Sequence, residues 1–193
     1  TLDLLSNGRV DLGIGRSTTP LQLTPFGVKL EDTREMVDEA LSLIPRMWTE
    51  EVFSHQGKYY NIPPLAVVPK PLQKPHPPLW IGARGPKATR RAAELGANLM
   101  TTLGPDPAPL YIETLKSLGK DPASFKIAQL RMVYCAESED EAWNDCQDHL
   151  FHMLEFYHDI LSNAKDVGIF RHVTCMIGSR SGWITHHWKN EQG

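Results

Sequence analysis

At 193 residues, with 41% hydrophobic and 22% charged side chains, the chain has the composition of a globular protein with room for one ordinary core. A net charge of −3 speaks against a nucleic-acid or anionic-membrane surface, since both need clustered Lys and Arg, and no apolar run approaches the ~20 residues that span a bilayer. Three widely spaced cysteines, Cys135, Cys146 and Cys175, make no disulfide framework and fit a reducing, cytoplasmic compartment.

The first stretch is LDLLSNGRVDLGIGRS. Leu2, Leu4 and Leu5 read as the last apolar turn of a helix, and Asn7-Gly8 as its stop. Residues 10–15 follow as a short strand. A helix end with no strand before it and no initiator Met reads as a chain that starts inside a fold. Residues 16–30 are expected to be a loop, with Pro20, Pro25 and Gly27. A helix over 31–48 comes next, its apolar stripe built from Met36, Val37, Ala40, Leu41, Ile44, Met47 and Trp48. Pro45 is expected to kink that helix or to end its regular part near Ile44.

The segment VFSHQGKYYNI predicts a hairpin around Gln56-Gly57, with Tyr59 and Tyr60 in the second arm. His55 and the tyrosines line a pocket or, more commonly for such residues, pack the hairpin onto its neighbours. The proline-rich run after it reads as an extended connector. Tight β/α units follow: strand 79–83, a helix opened by Gly85-Pro86 and closed by Gly96, and strand 98–103. Next come a helix capped by Asp106-Pro107 and stopped by Gly119, and strand 125–136. A capping box from Ser138 to Glu141 opens a long helix over 138–162, and a last strand spans 172–178. The acidic residues 137–141 read as a solvated helix cap.

Five strands alternating with helices predict an α/β chain with parallel pairing, either an open doubly wound sheet or a closed barrel. A barrel needs eight β/α units, so this chain would carry about five of them. In both architectures ligands collect beyond the strand carboxyl ends. There the chain places Arg16 after the first strand, and Arg84 and Gly85 before a helix N-terminus. Free N–H groups, a helix dipole and two arginines suit a phosphate. The same residues also fit surface arginines beside a plain turn. The spacing of Cys146, His149 and His152 drifts off one helix face and predicts no metal site.

Taken in order, TLDLLSNGRVDLGIGRS, PFGV (25–28), REMVDEALSLIPRMWTEEVFSHQGKYYNI and PKPLQKPHPPLWIGARGPKATRRAAELGANLM resemble the bacterial-luciferase-like family of flavin-dependent monooxygenases over residues 1–178. The resemblance implies a (β/α)8 TIM barrel in which reduced FMN and O2 oxidise a small organic substrate. A flavin reductase would supply the reduced FMN, and the full-length protein would be a homodimer. Arg16 falls where the family holds the flavin phosphate, and Ala83, Arg84 and Gly85 fall on the second phosphate-binding segment. Relatives often carry hydroxyls on that segment; with Arg84-Gly85-Pro86 in their place, backbone N–H groups, Arg84 and Thr89 would serve.

Two departures stand out. About three N-terminal strands of the family pattern, with its catalytic residues, have no counterpart, so no catalytic residue is assigned. The tail 179–193 leaves the family's helix after MIGS and is expected to be divergent, as from truncation or a frame change. The rival readings are an F420-dependent hydride-transfer enzyme of the same fold and a non-catalytic flavin-binding paralogue or inactive fragment.

Overall fold

The computed structural model describes residues 1–17, 19–83, 85–102, 106–162, 172–179 and 182–189. Helix α1 (Leu2–Leu5) is short, and the chain leaves it through Asn7 and Gly8, both at positive φ (54° and 75°). That left-handed pair is the stop read from the sequence. Strand β1 (Leu12–Ile14) follows.

The expected loop 16–30 has more structure than its sequence announced. Helix α2 (Pro20–Leu23) and two 3-10 turns, Thr24–Phe26 and Leu30–Asp32, occupy it. Pro20 and Pro25 stand at first-turn positions, where a missing N–H costs nothing and a fixed φ favours the turn.

Helix α3 (Thr33–Thr49) continues past Pro45 and does not end near Ile44, the second of the two outcomes expected there. Pro45 sits in the second-last turn, where few bonds remain to lose. The end of the helix has its own partners: Thr49 Oγ1 donates to the Pro45 carbonyl at 2.9 Å, and Lys70 Nζ donates to the carbonyls of Met47, at 3.0 Å, and Glu50.

Strands β2 (Phe53–Gln56) and β3 (Asn61–Leu65) form the expected antiparallel hairpin, with a bulge between Phe53 and His55. Tyr59 and Tyr60 lie in its turn rather than in the second arm, and the Gly57 N–H donates to the Tyr60 carbonyl at 3.0 Å. Pro63 and Pro64 are accommodated in β3 by the free edge of a two-stranded ribbon and by the bulge opposite them, between Phe53 and His55.

Strand β4 (Leu79–Gly82), helix α4 (Pro86–Leu95), strand β5 (Asn98–Thr101), helix α5 (Ala108–Ser117) and strand β6 (Ile127–Gln129) make consecutive β/α units. The four strands pair in the order β1-β4-β5-β6, all parallel. The segment expected as one strand over 125–136 is two. Strand β7 (Met132–Cys135) belongs to a second sheet, with β8 (His172–Ser179) parallel to it and β9 (Gly182–Lys189) antiparallel to β8. The halves serve different neighbours, so the chain breaks at Leu130-Arg131, and Leu130 is 63% exposed there. The last candidate strand therefore does not extend the first sheet, and residues 182–189 of the divergent tail are its hairpin partner. Helix α6 (Glu139–Ser162) opens on the expected cap: the Glu141 N–H donates to Ser138 Oγ at 3.2 Å, and Glu141 Oε2 accepts from the Glu137 N–H at 3.1 Å.

The core lies between the parallel sheet and helices α3, α4 and α5. Leu41, Leu79, Ile81, Ala92, Ala93, Ala97, Leu99, Tyr111 and Leu115 are buried in one cluster. Tyr111 keeps its hydroxyl inside this cluster by donating to the Ala97 carbonyl at 2.6 Å. Burial pushes its pKa up to about 12, so it stays neutral and donating. Small side chains on α4, Ala92 and Ala93, let that helix sit close to the strands. Leu118, just past the end of α5, is 46% exposed.

Candidate functional site

The carboxyl ends of β1, β4 and β5 open into a cavity of about 850 Å³. Ile14, Gly15 and Arg16 enter it from β1, and Ile81, Gly82 and Ala83 from β4. Thr102 follows β5, and Gly85, Pro86, Lys87 and Ala88 form the opening turn of α4. Helix α3 supplies the facing wall through Arg34, Val37, Asp38 and Leu41.

Arg16 is anchored at the start of that wall. Its Nη1 donates to Thr33 Oγ1 at 3.3 Å, and Thr33 Oγ1 donates onward to the Leu30 carbonyl at 2.7 Å. The arginine is thereby held across the β1 end, from the strand to the first residue of α3. Gly85 is the N-cap of α4, in an extended conformation open to any residue (φ −115°, ψ 164°). Among the described residues no side chain caps the helix. Pro86 has no N–H to offer, so the exposed donors of the first turn are the N–H groups of Lys87 and Ala88. A Cβ added at Gly85 or at Gly15 would meet nothing within 4 Å. Both glycines thus leave space at the cavity mouth where a ligand can come against the backbone.

The charge of the lining is distinctive. Arg16, Arg34, Lys87 and Arg91 stand against Asp38 and Glu94, in a chain whose net charge is −3. Lys87 lies in the first turn of α4, where the helix dipole disfavours a cation. Arg91 bridges the two helices: its Nε is 3.4 Å from Asp38 Oδ1, and its Nη2 donates to the Asp38 carbonyl at 3.2 Å. An anion held between the helices would relieve this concentration of positive charge.

Of the residues singled out from the sequence, Arg16, Ala83 and Gly85 meet at this cavity. Arg84 lies outside the described residues. Thr89 stands apart: it is fully buried, and its hydroxyl donates to the Gly85 carbonyl at 3.1 Å. It braces the turn from behind. Arg34, Asp38, Lys87 and Arg91 were not singled out from the sequence. The spacing of 34, 37, 38 and 41 is one helical face, so the signal was present but read only as an apolar stripe. His55 and Tyr59 pack the hairpin onto α3 and do not line the cavity. Among the described residues no group of His, Cys, Asp and Glu side chains could hold a metal ion, and no helix is long and apolar enough to cross a membrane.

A parallel β/α sheet with its cavity at the strand carboxyl ends is the arrangement of β/α enzymes, whether the sheet is open or closed into a barrel. The chain belongs to the luciferase-like monooxygenase family, whose model matches residues 1–174, and its fold is part of the luciferase-like TIM barrel. It is 30% identical over 154 residues to the oxygenase component of the flavin-dependent trigonelline monooxygenase of Acinetobacter baylyi, covering 72% of this chain and 41% of that protein. It is 37% identical over 118 residues to an F420-dependent glucose-6-phosphate dehydrogenase of Kineococcus radiotolerans, covering 60% of this chain and 34% of that one. Among solved structures, the monooxygenase RslO1 of Streptomyces bottropensis superimposes with a TM-score of 0.73 at 26% identity, covering 84% of this chain and 52% of that one. The chain thus spans about two fifths of the length of the curated relatives it matches most of. The family is one of oxidoreductases, and relatives of both cofactor types, flavin and F420, stand among the similar proteins.

Proposed function

We propose that this chain is the phosphate-holding part of an FMN-dependent monooxygenase, in which reduced FMN and O2 oxidise a small organic substrate. The observation that carries the reading is the cationic cavity at the uncapped N-terminus of α4. Arg16, Arg84 and the backbone of Ala83, Gly85, Lys87 and Ala88 would hold the flavin phosphate. The open space at Gly15 and Gly85 fits such an approach. Thr89 keeps the turn in shape through the Gly85 carbonyl. When bound, reduced FMN supplies the electrons for O2. This chain's residues anchor its phosphate, and apolar Val37, Leu41 and Ile81 exclude water from the cavity floor. A separate flavin reductase is the source of reduced FMN in this reading, as suits a relative that is itself an oxygenase component. The working protein is a cytoplasmic homodimer.

The second reading keeps the site and exchanges the cofactor for F420, which also carries a phosphate. Relatives named as F420-dependent glucose-6-phosphate dehydrogenases, 33–37% identical over 118 residues, favour it. Titrating the purified chain with FMN, riboflavin and F420, followed by flavin and deazaflavin fluorescence, separates the two. FMN binding more tightly than the other two is the expected result. F420 binding most tightly would replace the first reading with the second, and binding of none would remove both.

A further inference from the structure

Helix α3 has two working faces. One presents Arg34, Val37, Asp38 and Leu41 to the cavity. The other presents Glu35 and Glu39 to the hairpin β2-β3. Glu39 is the centre of that second contact. His55 Nε2 lies 2.8 Å from its Oε1, the Tyr60 N–H donates to the same oxygen at 3.1 Å, and the Tyr59 N–H donates to Oε2 at 3.1 Å. The Glu39 and His55 side chains are only 14% and 19% exposed. At the rim Lys58 Nζ donates to Glu35 Oε2 at 2.6 Å, and the Tyr59 hydroxyl reaches Asp32 Oδ1 at 3.0 Å and Glu35 Oε2 at 2.9 Å. Gly57 backs onto this centre so closely that a Cβ would overlap Glu39 Oε1 and His55 Nε2. A side chain there would have to push these two side-chain ends aside.

The ends of α3 are tied separately, by Arg16 to Thr33 and by Lys70 to the carbonyls of Met47 and Glu50. At mid-length α3 is held on its cavity side by Leu41 in the core and by Arg91 at Asp38, and on its hairpin face by Glu39. Adjacent residues on a helix point about 100° apart, so Glu39 and Asp38 turn together. Any rotation that loosens Glu39 from the hairpin swings Asp38 and Arg34 along the cavity wall.

We propose that Glu39 is a positioning residue: its grip on the hairpin acts with the Arg91 bridge and the Leu41 packing to set the rotation of α3, and so presents Arg34 and Asp38 to the cofactor cavity. The proposal rests on the flavin-phosphate reading for its functional meaning, and its first test is independent of any cofactor. Amide hydrogen exchange is followed across 33–49 and 53–65 in the unliganded wild type, Glu39→Gln, Gly57→Ala and the control Lys58→Ala. Gln keeps the size of Glu but sets an amide NH2 against an N–H donor. Alanine at 57 displaces the carboxylate without removing it and serves if Glu39→Gln does not fold. The expected result is faster exchange in both the hairpin and the 33–42 half of α3 for the two grip variants, with no spread into α3 for Lys58→Ala. The second readout is the ratio of riboflavin to FMN Kd, which should fall by about threefold or more in the grip variants. Faster exchange confined to 53–65 with an unchanged ratio overturns the proposal. Spread into α3 in a protein that never prefers FMN supports the positioning role and counts against the flavin reading alone.

Discussion

Tyr111 shows how a single residue ties the core to the units that frame the cavity. Its hydroxyl, fully buried, satisfies the Ala97 carbonyl in the turn between α4 and β5. Tyr111→Phe leaves that carbonyl without its partner and should cost about 1–3 kcal/mol, read as a shift in the denaturant midpoint at unchanged slope. The helix that carries Tyr111 was legible from its cap and its stop. The partner of the hydroxyl was not, because a backbone carbonyl has no signature in the residue string. Asp3 was missed for the same kind of reason. It is 5% exposed and accepts from the Gln73 N–H at 2.9 Å and from Gln73 Nε2 at 2.8 Å, seventy positions along. The backbone N–H of Gln73 leads the partners that outweigh burial and hold the Asp3 carboxyl below its usual value. Read locally, Asp3 was only a polar residue at a helix end, and the connector carrying Gln73 was only proline-rich. Arg16 was legible because it follows a glycine-rich strand. Arg34 and Arg91 were not, since a helical charge among apolar residues reads as solvated face until the neighbouring helix is placed beside it.

At the scale of elements, helix ends are held by side chains arriving from later in the chain. Lys120 Nζ donates to the carbonyls of Ala93 and Glu94, at 2.7 and 2.8 Å, and so closes the C-terminus of α4. Lys120→Met keeps the aliphatic stem and loses the cap. It should cost about 0.5–1.5 kcal/mol in an unfolding titration, with little change in α4 length. The hairpin is held on α3 by carboxylates, and that makes it acid-sensitive. Burial works against the Glu39 charge, but the hydrogen bonds from His55 and the Tyr59 and Tyr60 N–H groups prevail and lower its pKa from the ordinary 4.5. A lowered folded-state pKa means stability that is present above the ordinary value and lost as pH falls through the folded value. The hairpin should therefore release below about pH 4.5, with exchange at residues 53–65 rising there first. A hairpin that stays protected down to global unfolding would contradict this. The hairpin and helices α3, α4 and α5 were legible from periodicity and turn residues, whereas α2 was read as loop. The break at Leu130-Arg131 was not, because β6 and β7 form one continuous β-like run whose halves are told apart only by which strand lies beside each.

For the whole molecule, the parallel order β1-β4-β5-β6 leaves β1 and β6 each with one partner among the described strands. Unpaired edges of parallel strands recruit other strands. The chain is expected to self-associate in a concentration-dependent way in sedimentation velocity, and a sharp monomer throughout the micromolar range would contradict that. The barrel class was legible from alternating β and α units together with the ordered motifs, whereas the separate β7-β8-β9 sheet was not. It rests on a long-range parallel pairing of β7 with β8 across α6, and pairing partners are not written in a strand's own residues.

The functional reading stands on one claim: the cavity at the strand carboxyl ends recognises the phosphate of the cofactor through Arg16 and the first turn of α4. The most direct measurement is the affinity of the wild type and of Arg16→Ala for FMN and for riboflavin, which differ only by that phosphate. A charge-assisted contact is worth about 1.5–3 kcal/mol, so the wild type should prefer FMN by roughly 10- to 100-fold. Arg16→Ala should bring the two ligands to within a few-fold of each other while leaving riboflavin binding unchanged. Equal affinities in the wild type, or a preference for FMN that Arg16→Ala leaves undiminished, would contradict the claim.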